Sequence, residues 1–311
     1  MSSPLSRRSF LRYSAGTGTL LLANASLGHG FVSRVTGSLL DTYPDVAAVT
    51  GSNAYDATMK AVELMGGMRR FVAPGSRVGL LINSRFGRQG SYVKPQIALA
   101  AVVMLHEAGA KEIVSLEDVG MSYWRRALLS GEHADLVKSI TGPGGTIAVT
   151  LKEAHHLKQV ELVRDYVECD AIINIPIFKD HTGTRFTGAL KNIMGTTSRS
   201  TNNYWHSGSG GSGYDDVKFL SQCIADGNLC RKPALCIGDA TEVLIRNGPS
   251  GPGPTRDFRT VVAGTNPVSF DAFGSTLLGF RQDEILMVRA ASELGIGSCA
   301  LDSLRIEMAN L

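Results

Sequence analysis

Residues 171–197 read AIINIPIFKDHTGTRFTGALKNIMGTT and combine an apolar strand, a polar turn and a helical pattern. The first five residues are apolar except for one asparagine, which is typical of a strand buried on both faces. The turn follows Pro176, and residues 187–194 show helical periodicity, with Thr187 able to cap the helix. This order predicts one unit of a parallel sheet, with the polar turn at the carboxyl end of the strand.

The same alternation continues on both sides of this unit. Apolar runs predict strands at residues 46–49, 78–82, 113–116, 146–149, 171–175, 235–237, 260–263 and 304–307. Helical periodicity predicts helices at residues 55–65, 95–108, 155–167, 187–194, 215–224, 267–278 and 284–294. Apolar strands that alternate with helices predict an α/β fold with a mainly parallel β-sheet and helices on both faces, in three layers.

The chain divides into three regions by composition. Residues 1–25 contain Arg7-Arg8, a mild apolar stretch and a small-residue sequence ending at Ala25, which predicts a twin-arginine signal peptide. Residues 26–44 read as a linker, and residues 45–311 as a single α/β domain that could comprise two lobes. We therefore expect a periplasmic or secreted protein that meets the twin-arginine translocase during export and has no transmembrane helix in its mature form. The alternative is a basic tail on a cytoplasmic protein.

Charge and cysteine content exclude several classes of partner and cofactor. The chain has 31 Lys and Arg against 28 Asp and Glu, and the three arginines of residues 1–25 account for the difference, so the predicted mature body is neutral and nucleic acid is not an expected partner. Five cysteines without a C-x-x-C pair do not support an iron–sulphur cluster. Cys236, inside an apolar strand, is better explained as a buried structural thiol than as a metal ligand.

Basic residues gather at the turn after residue 175. Lys179, His181 and Arg185 precede the predicted helix, and Lys191 and Asn192 lie about one turn into it. Because a helix start attracts anions, we predict a site for a small anionic substrate or cofactor that includes Thr187, Lys191 and Asn192. A solvated basic loop is the alternative.

Acid–base or metal chemistry is a second expectation for this region. Since an imidazole titrates near neutral pH, we predict catalytic roles for His181, Lys179 and Asp239. His181, His206, Asp239 and Asp271 could also form an N/O metal site, with a divalent metal as one hypothesis for an otherwise unknown cofactor. Asp239 and Asp271 are expected to meet at one crevice, although local hydrogen bonds would explain them equally well. Residues 196–213, rich in Gly and Ser, are expected to form a mobile lid that carries His206.

Several motifs in order resemble domain-of-unknown-function family 362. They are Pro176-x-x-Lys179-x-His181, Thr187-Gly188-x-x-Lys191-Asn192-x-x-Gly195, Gly238-Asp239-Ala240, Asn247-Gly248-Pro249 and Asn266-Pro267-Val268 with Asp271. The resemblance runs from about residue 47 to residue 307. It implies a site made of Lys179, His181, Lys191, Asn192, His206, Asp239 and Asp271. The predicted strand at residues 78–82 departs from the family pattern. Its end reads Leu81-Ile82-Asn83, which keeps Asn83, a predicted substrate-binding residue, but lacks the lysine common in the family.

Two functions remain open at this level. The first is an exported enzyme, redox-linked in one version, that binds a small anionic substrate or cofactor and uses acid–base or metal chemistry. The second is a periplasmic ligand-binding or cofactor-handling protein that uses the same crevice without catalysis. Some members of the resembling family are labelled iron–sulphur proteins, but the ferredoxin-type cysteine runs are missing from this chain.

Overall fold

A central seven-stranded sheet organises the computed structural model, which describes residues 43–127, 131–207 and 214–311. The described strands are β1 (Val46–Thr50), β2 (Arg77–Ile82), β3 (Glu112–Ser115), β4 (Thr146–Thr150), β5 (Gln159–Val163), β6 (Ala171–Ile175), β7 (Lys179–His181), β8 (Arg185–Thr187), β9 (Leu235–Leu244), β10 (Thr255–Gly264) and β11 (Ile306–Asn310). The order in the sheet is β11-β1-β10-β9-β6-β2-β3. All neighbours are parallel except at β10, which is antiparallel to both β1 and β9.

Helices cover both faces of this sheet. The described α-helices are α1 (Ala54–Leu64), α2 (Pro95–Glu107), α3 (Met121–Trp124), α4 (Glu132–Lys138), α5 (Arg164–Glu168), α6 (Ala189–Asn192), α7 (Arg199–Ser207), α8 (Tyr214–Gly227), α9 (Pro267–Leu277) and α10 (Leu286–Glu293). Buried residues of α1 and α2 form one core with one face of the sheet, and those of α6, α8, α9 and α10 form a second core with the other face.

Alternation along the strands explains the two cores. In β1, Val46 and Ala48 belong to the α9 side, whereas Ala47 and Val49 belong to the α1 side. Because successive side chains point to opposite faces, a strand that is apolar throughout must be covered twice. The predicted three-layer α/β fold with a mainly parallel sheet is therefore confirmed. Residues Pro44–Leu311 make up one compact unit.

The predicted helix at residues 155–167 is wrong. Residues Gln159–Val163 form β5, which pairs antiparallel with β4 in a hairpin outside the central sheet, and only Arg164–Glu168 is helical. Buried Val160 and Leu162 alternate with more exposed neighbours, which is the period of a strand. Asp226 also fixes the start of this stretch as a turn, since its carboxylate accepts hydrogen bonds from the backbone N–H groups of residues 155–157.

The expectation of a loop over residues 196–213 is also corrected in part. Residues Arg199–Ser207 form α7, because Thr201 and Trp205 lie four residues apart on one buried face of the helix, and Trp205 is fully buried. Residues 208–213, and the predicted leader at residues 1–25, lie outside the described part of the chain. No helix in the described part is long and apolar enough to cross a membrane.

Candidate functional site

Three parallel strands end at the same edge of the sheet and place polar residues there. β2 is followed by Asn83, β3 by Glu117 after one leucine, and β6 by a short connection to Lys179. The carboxyl edge of such a sheet is where α/β proteins usually bind ligands. The β7–β8 hairpin and the residues between β2 and α2, called here the 83–94 segment, enclose this edge.

Lys179 is buried in β7 with only 1% of its surface exposed. Its ammonium group donates a hydrogen bond to the carbonyl of Ser91 and lies 4.5 Å from the centre of the Phe86 ring, so both contacts come from the 83–94 segment. No carboxylate of the described residues forms an ion pair with it. Burial and the nearby charge of Lys191 lower the pKa of Lys179 to about 7, although Glu117 opposes the change.

Lys191 extends from α6 into the same region. Its Nζ lies 3.2 Å from the sulphur of Met194, a weak acceptor, and the described residues give it no carboxylate partner. Burial, together with the charge of Arg85, lowers the pKa of Lys191 to about 8. Arg85 belongs to the 83–94 segment and is exposed. The charges of the three cationic groups therefore act on one another at the edge of the sheet, that of Lys191 on Lys179 and that of Arg85 on Lys191.

Glu117 is the acidic member of the cluster, and sequence analysis did not single it out. Burial raises the pKa of Glu117 to about 7, even though Arg85 and Lys179 favour its charged form. Its carboxyl group packs directly over the backbone of Gly195, where any Cβ would overlap Oε1. The available signal was its position directly after the apolar run 113–116, at the carboxyl end of a predicted strand.

His181 is held as a neutral imidazole. Its Nδ1 accepts hydrogen bonds from the backbone N–H groups of Gly183 (3.0 Å) and Thr184 (3.2 Å), so the ring proton belongs on Nε2. Burial lowers the pKa of His181 to about 3, and the charges of Lys191, Lys179 and His206 act in the same direction. These contacts favour a hydrogen-bond donor at Nε2 over the proton transfer expected of an imidazole that titrates near neutral pH. His206 is exposed on α7, with Nδ1 2.8 Å from the carbonyl of Asn202.

A chain of three asparagine side chains fixes α6 to the sheet beneath the lysines. Asn83 donates to Asn192 at 3.2 Å, and Asn192 donates to Asn174 at 2.8 Å and to the carbonyl of Leu81 at 3.3 Å. Asn174 in turn donates to the carbonyl of Ala189 at 3.0 Å. The structure thus gives Asn83 and Asn192, both predicted to bind substrate, contacts that position α6 and with it Lys191.

Asp271 occupies the helix start that was expected to bind the ligand. Its carboxylate accepts hydrogen bonds from the N–H groups of Ala189 (2.6 Å) and Leu190 (2.9 Å), the first two residues of α6. Burial raises the pKa of Asp271 to about 7, while these two bonds oppose the rise. A Cβ on Gly188 would overlap the carboxylate, which explains the glycine at this position. Thr187 does not cap the helix but lies in β8, opposite Lys179, and its buried hydroxyl has no partner among the described residues.

Asp239 lies on the other side of the sheet. Its carboxylate accepts hydrogen bonds from the N–H groups of Lys94 (2.7 Å) and Thr241 (2.8 Å) and from the Thr241 hydroxyl (2.7 Å), so it holds the start of α2. Burial raises the pKa of Asp239, against these hydrogen bonds. Asp239 and Asp271 therefore do not meet at one crevice, because one binds α2 and the other binds α6 on the opposite face. The local hydrogen bonds weighed as the alternative account for both carboxylates.

The predicted metal ligands are accordingly not gathered. His181, His206, Asp239 and Asp271 have separate partners, and within the described ranges no three His, Cys, Asp or Glu side chains are placed to hold a metal ion. All five cysteines are unpaired thiols. Burial raises the pKa of Cys236, as expected of a structural thiol in a strand core.

A cavity of about 250 Å³ opens beside this cluster at the carboxyl end of β3. Glu117, Lys138 and Thr141 line it together with the apolar side chains of Met121, Trp124 and Val137. A second cavity, of about 500 Å³, lies between the starts of α1 and α2, with Lys94, Arg126 and Glu242 in its wall. Only the first cavity includes a residue of the lysine cluster.

Fold and site together define an α/β protein with a cationic cluster around the buried Lys179 at the carboxyl edge of its sheet. The chain belongs to the DUF362 family, a domain of unknown function whose family model matches residues 80–276. This range contains every residue of the cluster, and the two glycines of the family-like motif at 188 and 195 are those that make room for Asp271 and Glu117.

Two similar proteins extend the comparison. The chain is 24% identical over 250 residues to the thylakoid-associated protein sll1697 of Synechocystis sp. (strain ATCC 27184 / PCC 6803 / Kazusa). The alignment covers 78% of this chain and 75% of that protein. A crystal structure of a protein from Thermotoga maritima aligns with a TM-score of 0.41 and 14% identity, over 80% of this chain and 58% of that one. The chain thus spans less than two thirds of the length of that solved structure.

Proposed function

We propose that this protein is an acid–base enzyme that binds a small anionic substrate at the cluster of Lys179, Lys191, Arg85 and Glu117. The supporting observation is that a buried lysine, Lys179, and a half-buried one, Lys191, lie near one carboxyl group, and that no described carboxylate forms an ion pair with either lysine. Burying an unpaired charge costs several kcal/mol, in the range of about 3–5 kcal/mol when a partner is missing. An anionic ligand would supply the missing charge.

The polar groups around the lysines also favour an anionic ligand. The Thr187 hydroxyl lacks a partner among the described residues, and the neutral His181 ring offers a donor at Nε2. Together with the two ammonium groups, they make a set of donors suited to carboxylate or phosphate oxygens. Arg85, exposed on the 83–94 segment, would contact the ligand from the solvent side.

Catalysis, and not binding alone, is favoured by Glu117 and Lys179. The pKa values of both groups are shifted to about 7, so each can take up or release a proton at neutral pH. A site that only binds anions would be better served by lysines that stay fully charged. Export through the twin-arginine pathway is a second part of the proposal, and its support is the sequence of residues 1–25.

Anion binding can be tested by calorimetry with glycolate and with inorganic phosphate at neutral pH. We expect Lys191→Gln to weaken binding by about tenfold or more, the effect of losing one charge-assisted hydrogen bond. The matched control is Lys152→Gln, at an exposed lysine away from the cluster, which should bind like the unmodified protein. Equal affinity of Lys191→Gln and its control, or no binding of either anion, would contradict the proposal.

A further inference from the structure

The surroundings of Lys179 are those of an amine kept for reaction. It is the one fully buried lysine of the described residues, whereas Lys60 and Lys138 form surface ion pairs with Glu63 and Asp135. Its Nζ faces an aromatic ring and a single carbonyl, with Lys191 as a cationic neighbour. A desolvated lysine beside a second cation is a recognised arrangement for an activated nucleophile.

We propose that Lys179 forms an imine with the carbonyl carbon of a small oxo acid whose carboxylate is held by Lys191 and Arg85. The proposal rests on the proposed function and assigns its substrate class. An oxo acid has a group for each part of the site. Its carboxylate would bind Lys191 and Arg85, and its carbonyl carbon would react with the buried amine of Lys179. Lys191 can bind the carboxylate because, among the described residues, the Met194 sulphur is the one hydrogen-bond partner of its ammonium group.

Glu117 supplies the proton transfers that this reaction requires. The lone pair of the Lys179 amine attacks the carbonyl carbon, a C–N bond forms, and the carbonyl oxygen takes a proton from the Glu117 carboxyl group. The Glu117 carboxylate then removes a proton from the nitrogen, which regenerates the carboxyl group. A second protonation of the hydroxyl releases water as the C=N bond forms, leaving an iminium ion beside the Glu117 carboxylate. No electrons are gained or lost, so no further reactant is needed, and water reverses the reaction.

The burial of Lys179 favours a substrate of few carbons. Only 1% of its surface is exposed, and the cavity of about 250 Å³ that Glu117 lines is lined by neither Lys179 nor Lys191. A substrate that reaches the amine must therefore fit within a closely packed region. Glyoxylate and pyruvate are therefore suitable probes.

The test is reductive trapping on the full chain. Protein is incubated with glyoxylate or pyruvate and sodium cyanoborohydride at pH 7, and modified lysines are mapped by peptide mass spectrometry. We expect the reduced adduct mainly on Lys179, at least about tenfold above that on exposed Lys152, because a pKa of about 7 leaves half of the Lys179 amines uncharged and nucleophilic at pH 7. Lys179→Arg should lose this adduct, and Lys152→Arg should keep it.

Two results would overturn the proposal, and they separate it from the proposed function. If adducts are absent from Lys179, or are spread evenly over exposed lysines, while glycolate still binds to the unmodified protein, the imine is refuted and anion binding stands. If glycolate does not bind and neither probe is trapped, both proposals fail. Lys191→Gln should reduce trapping on Lys179. If Lys179 is labelled equally in this variant and in the unmodified protein, the proposed contact between Lys191 and the carboxylate is wrong. Because this variant keeps Lys179, the result does not depend on the folding of Lys179→Arg.

Discussion

Lys179 and Thr187 stand directly opposite each other in the β7–β8 hairpin, and both bury a polar group that the described residues leave poorly matched. Residues in such a pair lie on the same side of the hairpin, with Cβ atoms about 5 Å apart. Within the described residues, the Lys179 ammonium group has one carbonyl and one ring as partners, and the Thr187 hydroxyl has none. Burial of these two polar groups therefore lowers the stability of the folded protein.

Removing the buried charge should stabilise the protein at low pH. Because the pKa of Lys179 is lowered on folding, the folded protein carries an unfavourable charge in full below pH 7, and the penalty fades as pH rises from 7 to about 10.4. Lys179→Met should raise the free energy of unfolding by about 2–4 kcal/mol at pH 6 and by much less at pH 9.5. Urea denaturation at both pH values measures the difference.

Exposed Lys152→Met is the control for this experiment, and it should show no such dependence on pH. A loss of stability in Lys179→Met that is equal at both pH values would mean that the ammonium group is stabilised by partners in the folded protein. The buried-charge explanation would then be wrong.

The His181 ring should stay neutral throughout the physiological range. Its Nδ1 accepts two backbone N–H groups, and its pKa is lowered to about 3, so protonation would break both bonds inside the fold. Nitrogen-detected NMR should show the Nε2–H tautomer, with no titration between pH 5 and 8. Free histidine side chains have a pKa of about 6.5 and serve as the reference. A midpoint near that value for His181 would restore its predicted role in acid–base catalysis.

Asp271→Asn should release the start of α6. The amide can offer only one acceptor oxygen where the carboxylate now accepts from both Ala189 and Leu190, so one buried N–H loses its partner. We expect a loss of about 1–3 kcal/mol in the free energy of unfolding and weaker anion binding, because α6 carries Lys191. Chemical denaturation and calorimetry measure the two effects. The control is Asp283→Asn, at a surface residue that pairs with Arg281, and it should change neither quantity appreciably.

The order of strands and helices could be predicted from sequence because each element carries its own period of apolar residues. Lys179 and Lys191 could be grouped because they are close in sequence, with one short hairpin between them. Glu117 follows a predicted strand and so could be placed at the same edge, but not next to the lysines, because the pairing of β3 with β2 decides where along the edge it lies. Sequence distance carries no information about that pairing.

The placement of Asp239 and Asp271 shows a second limit. Asp239 follows a strand as predicted, but the face to which its side chain points depends on register. It binds Lys94 on the α2 side, whereas Asp271 binds Leu190 on the opposite side. The helix at Arg199–Ser207 could not be predicted either. Its sequence is mostly polar, and the helix is stabilised by the burial of one large side chain, Trp205.

Export stays a prediction that rests on Arg7 and Arg8. Fusion of residues 1–40 to a folded reporter should send the reporter to the periplasm of a host that has a twin-arginine translocase. Replacing both arginines by lysine should retain it in the cytoplasm, because that pathway recognises the arginine pair and not only its charge. Cell fractionation gives the distribution. Equal export of the two fusions would contradict export through the twin-arginine pathway.

Asn192 should prove to be a positioning residue whose loss is felt through α6. Its side chain uses its oxygen for Asn83 and its nitrogen for Asn174 and the Leu81 carbonyl, so Asn192→Leu leaves several buried polar groups without partners. We expect a loss of about 2–4 kcal/mol in the free energy of unfolding and weaker glycolate binding, with the pH dependence of binding unchanged.

The double replacement Asn174→Leu with Asn192→Leu is the informative comparison for that interaction. Removing both partners of one hydrogen bond eliminates the unpaired group that each single replacement leaves, so the double variant should lose less stability than the sum of the two single variants. Urea denaturation of the three variants gives the coupling between the two side chains. Strict additivity would show that the bond between Asn174 and Asn192 does not help to fix α6, and the position of Lys191 would then depend on Asp271.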